Sequence, residues 1–210
     1  MFKRLLGITL TFGLFANAHA ADIAPDQAVR ATTEQLQALI KTNYKEYRAD
    51  SEKFYKTVDE VVVPRFDVPF IAKLVLATNY RPATDVQRTR FATAFKNMLM
   101  RAYANALLDN YDSVKVDWLP VRLAPGATDA VVNTTLMRDV GKPYAIGFRV
   151  HLVGDDWKIY DIAVENISLV TNFRTQLNAE IKKTSLDMVI ARMEGGEFFR
   201  AEDRDKGKKG

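Results

Sequence analysis

Apolar and polar positions along the first half of the chain recur at helical spacing. From Asp26 to Arg48, apolar or small residues stand at Ala28, Val29, Leu36, Leu39 and Ile40, with polar residues between. A second helix, capped by Asp50 or Ser51, carries Phe54, Val58, Val61 and Val62 on one side and runs to about Val63, where Pro64 opposes its continuation. Val68 to Ala77 is unusually apolar: Phe70, Ile71, Leu74, Val75 and Leu76 cover most of its circumference. A helix apolar nearly all round is expected to be buried or to touch a ligand. The fourth helix opens on Thr84-Asp85-Val86-Gln87, which fits a capping box. Phe91, Ala94, Phe95, Met98, Leu99, Ala102, Tyr103, Ala106 and Leu107 then recur at spacings of three and four, predicting one wide apolar face.

The second half switches to a period of two. Val114, Val116 and Trp118 alternate with Lys115 and Asp117, and Ala130 to Met137 is a second strand. Tyr144, Ile146, Phe148, Val150 and Leu152 alternate with small or polar residues. Gly154-Asp155-Asp156 forms a hairpin turn into a fourth strand, Trp157 to Val164. Two helices follow near Leu169–Lys183 and Ser185–Met193, ended by Gly195-Gly196. Long helices followed by a four-stranded antiparallel sheet predict an α+β domain with helices on one sheet face. A curved sheet against a long helix leaves a conical space, which is either packed or open.

The termini differ from the body. Lys3 and Arg4 precede an apolar run, Leu5 to Phe15, and Ala18-His19-Ala20 supplies small residues at the positions a signal peptidase reads. Residues 1–20 are therefore expected to be a cleaved signal peptide; the run falls short of the roughly 20 residues a membrane span needs. The chain has no cysteine, so nothing can be lipidated at the cleavage site and no disulfide can form. Residues 21–196 form the expected domain, and the charged stretch 197–210 reads as a flexible tail. Loss of Lys3 and Arg4 lowers the net charge from +4 to +2, which weakens any case for nucleic acid as a partner.

Candidate chemistry is sparse. His151 is the one histidine after the signal, lies on the polar parity of its strand and reads as an exposed strand residue. Without cysteine, histidine clusters or a glycine-rich phosphate loop, the sequence excludes His/Cys metal sites, thiol nucleophiles and most Ser-His-Asp arrangements. Asp161 shares the parity of Trp157 and Ile159. Facing the interior beside Tyr103 or Tyr144, it could abstract a proton as in ketosteroid-isomerase-like enzymes on cone-shaped folds. Alternatively it marks a bulge or bonds the backbone. Twelve Phe, eight Tyr and two Trp fit a filled core and an open cavity equally well. Arg81, Arg88, Arg90 and Arg101 form either a docking surface or a solvated helix face.

Two stretches carry a family resemblance. One is Ala72-Lys73-Leu74-Val75-Leu76-Ala77-Thr78-Asn79-Tyr80-Arg81-Pro82-Ala83-Thr84, followed by Gln87-Arg88 and Phe91, Phe95, Leu99 and Tyr103. The other runs from Trp157 to Val170 and on through Asn172-Phe173-Arg174. In order and spacing they resemble the MlaC, or toluene-tolerance (Ttg2D-type), family of periplasmic phospholipid-binding proteins, over about residues 25–195. Ala77 and Asn166 stand where family members often carry glycine, a departure that concerns the local backbone.

The resemblance implies an NTF2-like curved sheet with an added helical part, enclosing a deep apolar pocket. It implies a non-enzymatic, monomeric carrier without cofactor or metal, whose cargo is diacyl phospholipid. Its partners would be an outer-membrane lipoprotein–porin complex and the MCE-domain protein of an inner-membrane ABC transporter, and its role the maintenance of outer-membrane lipid asymmetry. Tyr103 and Ile167 match pocket-lining family positions. One-face spacing adds Phe70, Leu74, Phe95, Met98, Leu99, Trp118, Tyr144, Ile146, Phe148 and Phe173 as candidate lipid contacts.

Overall fold

The structure is a computed structural model that describes residues 23–138 and 141–198. Residues 1–20, expected from the sequence to be a signal peptide, and most of the expected charged tail lie outside the described residues. No described helix is long and apolar enough to cross a membrane.

Helix α1 (Pro25–Ala49) starts on a proline, whose missing N–H is not needed there. Asp50 then caps α2 (Ser51–Val61), accepting from the backbone N–H groups of Glu52 and Lys53. Pro64 ends the α-helical run, and the chain makes a 3-10 turn over Val63–Arg65. Helix α3 (Val68–Leu76) is capped by Asp67, which accepts from Phe70 N at 3.0 Å. Helix α4 (Asp85–Asn110) opens on the predicted capping box: Thr84 Oγ1 accepts from Gln87 N, and Gln87 Oε1 accepts from Thr84 N. Helices α5 (Leu169–Lys183) and α6 (Leu186–Glu194) start on Ser168 and Ser185, each hydroxyl accepting an N–H in the first turn.

The sheet is antiparallel and open, in the order β1 (Val114–Trp118), β2 (Asp129–Arg138), β3 (Tyr144–Val153), β4 (Asp156–Val164), β5 (Ile167–Ser168). It has five strands where alternation predicts four. The fifth is two residues long, too short for a period to show. Glu165 (φ 49°) and Asn166 (φ 65°) turn the chain back so that Ile167 and Ser168 pair with Val164 and Ala163.

The buried apolar residues form three clusters. One joins α3, α4, α5 and α6 around Val75, Leu76, Phe91, Phe95 and Leu177. A second joins α1, α2 and the end of α4 around Ile40, Phe54 and Leu108. The third sets Ala28 and Val29 of α1 on Val132, Val150, Trp157 and Ile159 of the sheet. The predicted single apolar face of α4 is thereby corrected. At about 100° per residue, Ala104 lies roughly 220° around the helix from Phe91. The helix buries one side in the first cluster and nearly the opposite side in the second.

Helices also meet both sheet faces, not one. Ala28 and Val29 cover the side of Val150, whereas His151, its neighbour of opposite parity, meets Asp67 and Phe70 of the α3 segment.

Candidate functional site

Directly opposed residues of neighbouring strands point to the same side of a sheet. The register therefore defines one face row by row. Trp118, Thr134, Ile146, Val164 and Ile167 oppose one another in sequence across all five strands. Val116, Leu136 and Tyr144 form the adjacent row, and Val132, Phe148 and Ile162 the row on the other side. Next come Ala130, Val150 and Ile159, beneath α1.

Burial falls along this face. Val132 and Val150 are fully buried under α1, Thr134 is buried in the row of Ile146, Phe148 and Ile146 are half-buried, and Tyr144 and Ile167 are 36% and 64% exposed. Leu136, Ile146, Val164 and Ile167 lie outside all three clusters. The third side of α4 is similar. Leu99, Tyr103 and Leu107 lie roughly 80–160° around from Phe91, and Tyr103 and Leu107 are 46% and 44% exposed. An open sheet face and an open helix side, both apolar, are joined through residues 111–113.

Five of the sequence-predicted contacts thus share one sheet face: Trp118, Tyr144, Ile146, Phe148 and Ile167. Tyr103 lies on the open side of α4, and Leu99, half-buried one turn before it, packs against the helical cluster. Leu74, Phe95, Met98 and Phe173 sit in the helical cluster, where Phe95 stacks on Phe91 (5.8 Å between centroids) and meets Phe173 edge-on (5.3 Å). Phe70 stands apart, its ring 4.8 Å from that of His151 and 5.7 Å from that of Tyr160. Val116, Leu136, Ile162 and Val164 also belong to the open face; alternation in β1 and β2 indicates the first two, whereas Ile162 and Val164 join the face of Trp157 and Ile159 only through an irregularity in β4.

The structure changes one reading of a polar residue and decides another. His151 is not an exposed strand residue. Its side chain is 18% exposed, and Nε2 lies 3.0 Å from Asp67 Oδ2, with Phe70 and Tyr160 packed against the ring. Asp161 takes the second of its two readings. Arg149 opposes Asp161 and Val150 opposes Ile159, which leaves Tyr160 as the bulged residue. The bulge moves Asp161 off the face of Trp157 and Ile159. Its buried carboxylate accepts from Val170 N at 3.1 Å and lies 3.8 Å from Arg149 Nη1.

Charged groups elsewhere brace the scaffold. Arg65 bonds Asp156, Thr32 and the carbonyl of Trp157. Burial alone would raise the Asp156 pKa; hydrogen bonds from Lys158 and Arg65 outweigh it and hold the carboxyl below its ordinary value. Arg88 donates to the carbonyls of Tyr80 and Arg81, and Arg90 bonds Glu194 through two nitrogens, so both serve internal contacts. Arg81 and Arg101 are exposed. Among the described residues, no group of three or more His, Asp or Glu is placed to hold a metal ion.

Comparison with known proteins identifies the family. The family model described as MlaC protein matches residues 30–195. The toluene tolerance protein ttg2D of Pseudomonas putida is 28% identical over 184 residues, 87% of this chain and 84% of that protein. The intermembrane phospholipid transport system binding protein MlaC of Haemophilus influenzae is 20% identical over 193 residues, 90% of each. The structure of a phospholipid-binding protein from Ralstonia solanacearum, in complex with a phospholipid, aligns with a TM-score of 0.76 at 26% identity, covering 85% of this chain and 99% of that one.

Proposed function

The chain belongs to the MlaC family, and we propose that it is a periplasmic carrier of diacyl phospholipid, holding the acyl tails between the open sheet face and the open side of α4. The observation that carries this reading is the division of the apolar core into three clusters. A filled cone would join sheet and α4 in one core. Here Leu107, Leu136, Ile146 and Ile167 lie outside all three. The phospholipid complex of the structural relative supports the same occupant.

The physics favours a carrier. A diacyl lipid with about 30 tail CH₂ groups exposes on the order of 20 kcal/mol of transfer free energy to water, at ~0.8 kcal/mol per CH₂. A protein that houses the tails and leaves the phosphate at the mouth removes most of that barrier without any catalytic group. In this reading it travels between an outer-membrane lipoprotein–porin complex and the MCE-domain protein of an inner-membrane ABC transporter, and so maintains outer-membrane lipid asymmetry. The enzymatic alternative requires Asp161 in the cavity, and that carboxylate is engaged by Val170 N and Arg149.

Organic extraction of protein purified from its host, followed by mass spectrometry, tests the reading. Phospholipid in stoichiometric amount is expected; protein that extracts without lipid and takes none from vesicles overturns it.

A further inference from the structure

On another part of the molecule, a cleft of about 560 Å³ separates α5 from the chain that leaves α3. Helix α5 supplies one wall through Arg174, Asn178 and Lys182, which recur every four residues and so share a side. The facing wall is Thr78 and Asn79. Ala77 places them there by adopting φ 50° and ψ −114°, a conformation that an L-residue rarely takes. The walls are tied together: Arg174 Nε donates to Leu74 O at 2.8 Å, Asn178 Nδ2 to Val75 O at 2.8 Å, and the side chains of Asn79 and Asn178 bond each other.

The charge of the cleft has one sign. Arg174 and Lys182 line it, no carboxylate does, and neither cation pairs with a described carboxylate. Their neighbours on the helical face do pair: Lys183 and Arg192 both bond Glu180. With its Nε engaged by Leu74 O, the Arg174 guanidinium is fixed in orientation while its outer nitrogens remain donors.

We infer that this cleft is a docking site for an acidic, extended segment of a partner protein. Eight residues of α5 separate the two cations by about 12 Å. An extended chain at ~3.3 Å per residue spans that distance in about four residues, so carboxylates four apart, which point to the same side, would meet both. The exposed hydroxyls of Thr78 and Thr175 can serve the backbone between them. The inference stands apart from the lipid reading, since the cleft shares no residue with the open sheet face or the open side of α4.

The test is fluorescence anisotropy of a labelled octaglutamate peptide with the full protein. Binding is expected at about 0.02 M salt, largely lost at about 0.3 M, and roughly fivefold weaker in Lys182→Glu. Lys45→Glu on the exposed side of α1 should bind as wild type does, and both variants should melt with it, because Lys182 and Lys45 are exposed. No binding at low salt, or equal weakening in Lys45→Glu, overturns the inference. So does a result in which Lys182→Glu releases phosphatidylglycerol vesicles but leaves peptide binding unchanged.

Discussion

The backbone N–H of Val170 donates to Oδ1 of Asp161 at 3.1 Å, nine residues back along the chain and inside the protein. A buried carboxylate in a cone-shaped fold invites a catalytic reading. This one instead fixes the first turn of α5 to β4, with Arg149 as a more distant counter-charge. Asp161→Ala should lower stability by about 2 kcal/mol, a typical loss for a hydrogen bond to a charged group, read from urea unfolding. Asp161→Asn keeps an acceptor and should lose less. Bound phospholipid per folded molecule should be unchanged in both; its disappearance in Asp161→Asn would count against the structural role.

In the proposed carrier, Tyr103 and Phe95 separate lipid contact from core packing on the same helix. Tyr103 is 46% exposed, so Tyr103→Glu should fold and extract with little or no lipid. Phe95 is buried against Phe91 and Phe173, so Phe95→Ala should cost about 3–5 kcal/mol of stability. Full lipid in Tyr103→Glu would remove that residue from the site.

Ala77 pays for its backbone angles, and Asn166 hardly does. Glycine has no β-carbon to clash at positive φ, so Ala77→Gly should stabilise by about 1 kcal/mol. Asn166, at φ 65°, occupies a conformation that asparagine tolerates, and Asn166→Gly should change little. Equilibrium unfolding of the two variants side by side checks the difference, and equal effects would contradict it.

Acid should act in part through Asp156. Its folded pKa is depressed below the unfolded value, so its contribution is complete above about pH 5 and is lost as pH falls through the folded pKa. The loss of stability between about pH 5 and pH 3 should be smaller in Asp156→Asn than in the wild type. Side chains of Asp156 and its partners are partly exposed, so the difference should shrink in high salt. Superimposable pH profiles would exclude the contribution.

Much of this was legible from local pattern. Thr84 and Gln87 announce the start of α4 because both capping bonds lie within one turn. Alternation in β3 placed Tyr144, Ile146 and Phe148 on one face because the hydrogen-bonded ladder enforces it. What local pattern leaves open or misplaces has non-local causes. Asp161 changes face because one bulged residue, Tyr160, resets the parity of β4 relative to β3. His151 is half-buried because Asp67, 84 residues away, comes to meet it. The side of α4 that buries Phe95 could not be told from the side that exposes Tyr103, since both are apolar and only the packing of α3, α5 and α6 chooses between them.

The three-part core has an evolutionary consequence. In a protein with one continuous core, enlarging the interior for a bulkier guest removes packing that the fold needs. Here Leu107, Leu136, Ile146 and Ile167 stand outside the packed clusters. In the proposed carrier their sizes can drift with the guest while the three clusters hold the shape, which leaves selectivity and foldability under largely separate control.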